Sequence, residues 1–118
     1  MSAHAPSALP RAARLVLAAA AAWVLAPAWA AGEANPKALA ENYGCFSCHG
    51  MVHKQVGPGF AQVAERYRGD PAMPAQLAAK IRSGSVGAWG RVIMPRQVKV
   101  TEADAQVLAR WVLSQPAP

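Results

Sequence analysis

The sequence predicts a small all-α domain of about four short helices, on three observations. Apolar residues recur at helical spacing in short stretches that begin with capping residues and end at glycines. No stretch sustains the period-two alternation of a strand, so a sheet is not expected. Large apolar side chains are too few for such a domain to fill its core unaided.

The first helix follows Asn35-Pro36, with Asn35 as N-cap, Pro36 in the first turn and Gly44 as the stop. The second covers Phe60 to Arg68, where Phe60, Val63, Ala64 and Tyr67 share a face, and Gly69 closes it. Asp70-Pro71 restarts the chain, and Pro74 to Arg82 forms a third helix with Leu77, Ala78 and Ile81 on one side, ended by Ser83-Gly84. Thr101 caps the last helix, with Glu102 and Asp104 in its first turn, and Ala105, Leu108, Trp111 and Val112 make a stripe that runs to about Gln115. Between the third and fourth helices lies Gly84 to Val100, read as a loop with three glycines, one proline and a tryptophan. A loop of that length is usually functional or wrapped around something.

Ahead of this domain, Arg11 and Arg14 precede the uncharged run Leu15 to Ala30, which ends in Ala28-Trp29-Ala30. A basic region, an apolar region and a small-residue triplet form the pattern of a cleaved secretory signal over residues 1–30. The alternative, a retained anchor, fits less well because the run falls short of the ~20 residues needed to span a bilayer and contains Pro27. Cleavage after Ala30 would leave residues 31–118 as one domain, with ten basic residues against six acidic ones. Export places it in an oxidising compartment, the periplasm.

Gly44-Cys45-Phe46-Ser47-Cys48-His49-Gly50 contains both cysteines of the chain. A disulfide between them would close a trivial loop and stabilise little. Three other chemistries compete. A thioredoxin-type pair needs a βαβ setting that places a thiol at a helix N-terminus, and no strands are expected. A zinc site needs four ligands, and Cys45, Cys48 and His49 lack a convincing fourth unless His53 serves. In C-x-x-C-H, each thiol adds to a haem vinyl group and the next histidine becomes an iron ligand. Export and the under-filled core favour this third reading, since a haem face replaces missing apolar side chains.

A sixth iron ligand would decide the chemistry, because a methionine thioether gives a high-potential electron carrier and an open position gives ligand binding or peroxide chemistry. Met51 adjoins His49 too closely to reach the other haem face. Met73, at a helix start, reads as a packing residue. Met94, late in the long loop and beside the rigid Pro95, is the favoured ligand.

The blocks GCFSCHG, VGPGFAQVAERYRG, LAAKIRSGSVGAWGRVIMP and VTEADAQVLARWVLSQ resemble, in order and spacing, the small class I monohaem cytochromes of the bacterial cytochrome c-551/c-552 (cytochrome c8) type. The resemblance runs from about Asn35 to Gln115, and its Trp89-Gly90 to Met94-Pro95 block is more specific than C-x-x-C-H alone. It implies a class I cytochrome c fold of about four helices around one haem c, covalent through Cys45 and Cys48, with His49 and Met94 as iron ligands. It further implies that the Pro58 carbonyl accepts from His49 Nδ1–H, and that Trp89 and Lys80 hydrogen-bond a haem propionate. The ordinary alternatives are packing for Trp89 and a solvated helix face for Lys80. The chain departs from the family pattern at Gln97, where an asparagine often contacts the methionine sulfur. It also departs at Ala40, where an aromatic often packs the first helix on the last, with Tyr43 against Trp111 as a compensating pair.

The expected function is a periplasmic one-electron shuttle, not an enzyme by itself, working with periplasmic reductases, oxidases or dehydrogenases as redox partners. No nucleic acid and no stable membrane insertion after cleavage are expected, and the chain reads as a monomer or as a subunit. One alternative is a permanent cytochrome subunit of a sulfite- or alcohol-oxidising dehydrogenase. The other is a five-coordinate haem sensor or peroxidase-like domain. His53 reads as a solvated loop residue, and Lys54, Arg91, Arg96 and Lys99 as a basic surface suited to acidic partners.

Overall fold

Asn35 caps helix α1 (Pro36–Asn42), its Oδ1 accepting from the backbone N–H of Lys37 at 3.1 Å and of Ala38 at 3.3 Å. The chain is described by a computed structural model at Met1 and residues 34–118. Met1 apart, the expected leader, with Arg11, Arg14 and the Ala28-Trp29-Ala30 triplet, lies outside the described residues. After a 3-10 turn at Cys45–Ser47 come α2 (Phe60–Tyr67), α3 (Met73–Ser83), strands β1 (Ser85–Gly87) and β2 (Gly90–Met94), and α4 (Glu102–Leu113). No helix among the described residues is long and apolar enough to cross a membrane.

The helices fall where the caps and stops place them. Gln62 Oε1 accepts from the Gly59 N–H at 2.9 Å at the head of α2, and Thr101 Oγ1 accepts from the Asp104 N–H at 3.1 Å at the head of α4. The expectation of a structureless loop over Gly84 to Val100 is corrected: residues 85–94 form a two-stranded antiparallel hairpin, with Ser85 opposite Met94 and Gly87 opposite Gly90. Strands of three and five residues are too short to show a period-two pattern. Their side chains are also exposed nearly throughout, so no buried face imposes alternation.

Helix α4 is the centre of the packing, with α1, α2 and α3 laid against it. One buried cluster joins Ala40, Ala78, Val100, Ala105, Leu108 and Ala109; a second joins Phe60, Val63 and Val112. Among the described residues, six of the twelve buried apolar residues are alanines, and none of the large side chains is fully buried. Small residues let the helices approach closely but bury little area each, so this core is thin for its length. At Ala40, the expected Tyr43–Trp111 compensation takes a different form: the Tyr43 hydroxyl donates to Asp104 Oδ2 at 2.6 Å and ties the end of α1 to the start of α4. Tyr43 and Trp111 both pack on the alanine-rich cluster.

Candidate functional site

The segment from Gly44 to Phe60 is wound by its own backbone. The His49 N–H donates to the Cys45 carbonyl at 3.1 Å, and the Cys48 carbonyl accepts from the N–H groups of Val56 (3.1 Å) and Gly57 (2.8 Å). The N–H groups of Phe60 and Ala61 donate to the carbonyls of Gly50 (2.9 Å) and Met51 (2.8 Å), seating this loop on the first turn of α2. These bonds use donors that a helix start leaves unpaired.

They also leave the His49 ring little freedom. Its Nδ1 lies 2.7 Å from the Pro58 carbonyl. A carbonyl can only accept, so Nδ1 carries the proton and the Nε2 lone pair is left for a metal. The Phe60 ring stacks on the imidazole, with centroids 5.2 Å apart and planes 16° apart. Gly57 closes the remaining side, where a Cβ would stand 2.7 Å from His49 Cε1. Only glycine admits the ring there.

The other wall of the cleft is the hairpin. Gly84 ends α3 with φ +81 and turns the chain into β1; a Cβ on it would lie 2.7 Å from the Met94 carbonyl oxygen. Met94 is the last residue of β2 and is half-buried. Trp89 lies in the turn, edge-on to Tyr67 of α2 at 6.2 Å. Lys80, in the last turn of α3, reaches the same cleft.

The structure therefore brings Cys45, Cys48, His49, Pro58, Lys80, Trp89 and Met94 to one mostly apolar cleft, roofed by Val86, Val92 and Ile93. Of Met51, Met73 and Met94, only Met94 lines it; Met73 is 4% exposed in the core, and Met51 packs beside Phe60, Val63 and Val112. Gln97 also lines the cleft, and its Nε2 donates to the Pro95 carbonyl at 2.9 Å. His53 and the basic residues Lys54, Arg91, Arg96 and Lys99 are all exposed.

The donor set decides between the chemistries that Cys45 and Cys48 left open. Burial pushes the Cys45 thiol up from its ordinary value, the reverse of what an activated redox thiol needs. Among the described residues no three His, Cys, Asp or Glu converge as a metal cluster, which leaves zinc without its tetrahedral set. A broad apolar cleft with two half-buried thiols at one end, an imidazole with a free Nε2 and a thioether suits a covalently anchored haem. The exposed valines and isoleucine that roof the cleft are the surface such a group would cover.

Sequence reasoning placed Phe60 only on a helix stripe and gave Gly57 and Arg66 no role at the site. The run Gly57-Pro58-Gly59 carried a signal, since two glycines around a proline mark close backbone approach. Arg66 carried none, because its partners are brought to it by the fold. Its Nη1 donates to the Ala88 carbonyl at 2.6 Å, and its guanidinium lies 4.6 Å from the Trp89 ring centroid and 5.4 Å from that of Tyr67.

Comparison with known proteins gives the family and the fold. The family model "Cytochrome c" matches residues 33–116. Cytochrome c-551 of Pseudomonas aeruginosa is 43% identical over 88 residues, covering 75% of this chain and 81% of that protein. Cytochrome c-552 of Hydrogenobacter thermophilus is 47% identical over 76 residues, covering 64% of this chain and 76% of that protein. The crystal structure of Nitrosomonas europaea cytochrome c552 superposes with a TM-score of 0.66 at 39% identity, covering 67% of this chain and 98% of the other. With the family match spanning most of the chain and the cleft built around its Cys-x-x-Cys-His segment, the protein belongs to the cytochrome c family, has the class I cytochrome c fold and carries a covalent haem c through Cys45 and Cys48.

Proposed function

We propose that the protein is a periplasmic electron carrier whose haem iron is held between His49 and Met94, and that it passes single electrons between redox proteins without itself being an enzyme. The observation that carries this reading is the meeting of His49 and Met94, forty-five positions apart in the chain, in one apolar cleft. Electron transfer as the general role follows from the family.

Bound haem c supplies a one-electron Fe(III)/Fe(II) couple, and a thioether ligand raises its potential. The chain's own residues then do the rest. Cys45 and Cys48 anchor the group, while the Pro58 carbonyl, the Phe60 ring and Gly57 fix the His49 imidazole so that Nε2 keeps one orientation. Restricted ligands keep reorganisation on electron transfer small. Val86, Val92, Ile93 and Leu108 would exclude water once sealed against bound haem, and Lys80 and Trp89 would offer an ammonium and an indole N–H to its propionate groups. The expected leader over residues 1–30 supports export, and the exposed Lys54, Arg91, Arg96 and Lys99 support docking to acidic partners.

The test is the absorption spectrum of the ferric protein. A thioether on ferric haem gives a weak far-red charge-transfer band, which the wild type should show, Met73→Ala should keep and Met94→Ala should lose. A wild type without that band, binding carbon monoxide readily when reduced, would overturn the ligand assignment.

A further inference from the structure

The hairpin that carries Met94 has few attachments of its own. Its side chains Val86, Val92 and Ile93 are 66%, 50% and 67% exposed, and its strands bond chiefly to each other. At the Met94 end it is joined covalently to α3 through Gly84, and beyond Pro95 the Gln97 N–H donates to the Ile81 carbonyl at 3.3 Å. At the far end, Trp89 packs on Tyr67 and on the Phe60, Val63 and Val112 cluster, and exposed Arg66 of α2 adds a side-chain hydrogen bond to the turn. The Arg66 guanidinium makes a short charge-assisted hydrogen bond to the Ala88 carbonyl, 2.6 Å, and lies over both the Trp89 and Tyr67 rings. Tyr67 and Trp89 meet edge-on beneath it. Arg66 is not part of the cleft lining, so it acts only through what it holds.

We propose that Arg66 is a positioning residue: it clasps the hairpin turn to α2, closes the cleft over the cofactor and thereby holds Met94 on the iron. This rests on Met94 being the iron ligand. A guanidinium is suited to the task because it donates in its plane to the carbonyl while presenting its face to the rings, which an ammonium cannot do at once. With the clasp released, the turn can lift away from α2 once the Trp89 ring leaves the Phe60, Val63 and Val112 cluster it packs on, and the helices themselves stay formed because neither buried cluster contains a residue of β1 or β2. Met94 then leaves the iron more often, and an external ligand finds an open position in proportion to that fraction.

The experiment uses the holoprotein and imidazole as the competing ligand, followed by loss of the far-red thioether band, with helix content measured by far-ultraviolet circular dichroism during denaturant unfolding. Arg66→Ala should raise the apparent affinity for imidazole about tenfold, the order expected from losing a charge-assisted hydrogen bond and an exposed cation–π contact. Its helix-unfolding midpoint should stay close to that of the wild type. Arg66→Lys should fall between the two. Arg68→Ala, which removes a bond to the Gln115 carbonyl at 3.3 Å, should leave imidazole affinity unchanged. The proposal is overturned if Arg66→Ala binds imidazole as the wild type does, or if its affinity rises only as far as global stability falls. A wild type lacking the thioether band removes the Met94 reading and the proposal together, a result distinct from an Arg66→Ala protein that keeps its band and its affinity.

Discussion

The wall of the cleft that carries His49 and the wall that carries Met94, the two proposed iron ligands, are built in opposite ways. On the first, the imidazole is boxed by the Pro58 carbonyl at 2.7 Å, by the stacked Phe60 ring and by Gly57, within a loop cross-bonded by its own backbone. On the second, Met94 ends a hairpin with exposed Val86, Val92 and Ile93, held by Gly84 at one end and by Arg66 at the other. The histidine wall is organised by the chain. The methionine wall is completed by what it covers, since each valine or isoleucine sealed against the cofactor gains about 1.5–3 kcal/mol of burial that the bare hairpin lacks.

Preventing cofactor attachment should disturb both walls most. Cys45→Ala combined with Cys48→Ala should abolish cooperative folding of the domain, because a core half made of alanines buries too little area for this length. Circular dichroism with a denaturant titration would show it, and a double variant with wild-type helix content and midpoint would mean that the cleft is organised on both sides without haem. A smaller pair of effects separates the two walls. Gly57→Ala places a methyl 2.7 Å from His49 Cε1, and such overpacking costs about 1–3 kcal/mol. It should lower the denaturant midpoint of the whole domain. Gly84→Ala forces a side chain to φ +81, ψ 172, a backbone region essentially reserved for glycine, and against the Met94 carbonyl, a cost of about 1–3 kcal/mol for the backbone alone. It should weaken the far-red thioether band at denaturant concentrations where the helices persist. If Gly84→Ala instead shifts band and helices together, the hairpin is not the separable element described above.

The smallest effect concerns the helical side alone. The hydrogen bond from Tyr43 to Asp104, helped by partial burial and by the carboxylate charge, raises the Tyr43 pKa above its ordinary value. A group whose pKa is raised by folding contributes stability that is complete below the unfolded value of about 10 and is lost as pH rises through the folded value. The wild type should therefore lose stability above pH ~10 more steeply than Tyr43→Phe. Parallel profiles would show that the α1–α4 tie is carried by packing around Ala40 instead.

Much of this arrangement was legible in the residues. Asn35, Thr101, Gly44 and Gly84 bound their helices where capping chemistry predicts, because a cap depends on atoms two or three positions away. The Cys45-x-x-Cys48-His49 spacing was legible for the same reason, being local geometry. The hairpin over residues 85–94 was not, since strands this short and this exposed leave no periodic trace. Nor was the direction of Tyr43, which turns its hydroxyl to Asp104, sixty-one positions along the chain.

What depends on neighbours along the chain was written in the residues: four short helices, the first and last with side-chain N-caps, a five-residue haem-anchoring motif and a shortage of large apolar side chains. Tertiary structure decided which distant groups meet. It seated Phe60 on His49, set Arg66 over Trp89, and put Met94 into the cleft while burying Met73 in the core. The reason is physical. Capping and motif spacing act within one turn of backbone, whereas a shared cleft, ring stacking and the Arg66 contact with the hairpin arise only when helices pack and bring together residues tens of positions apart.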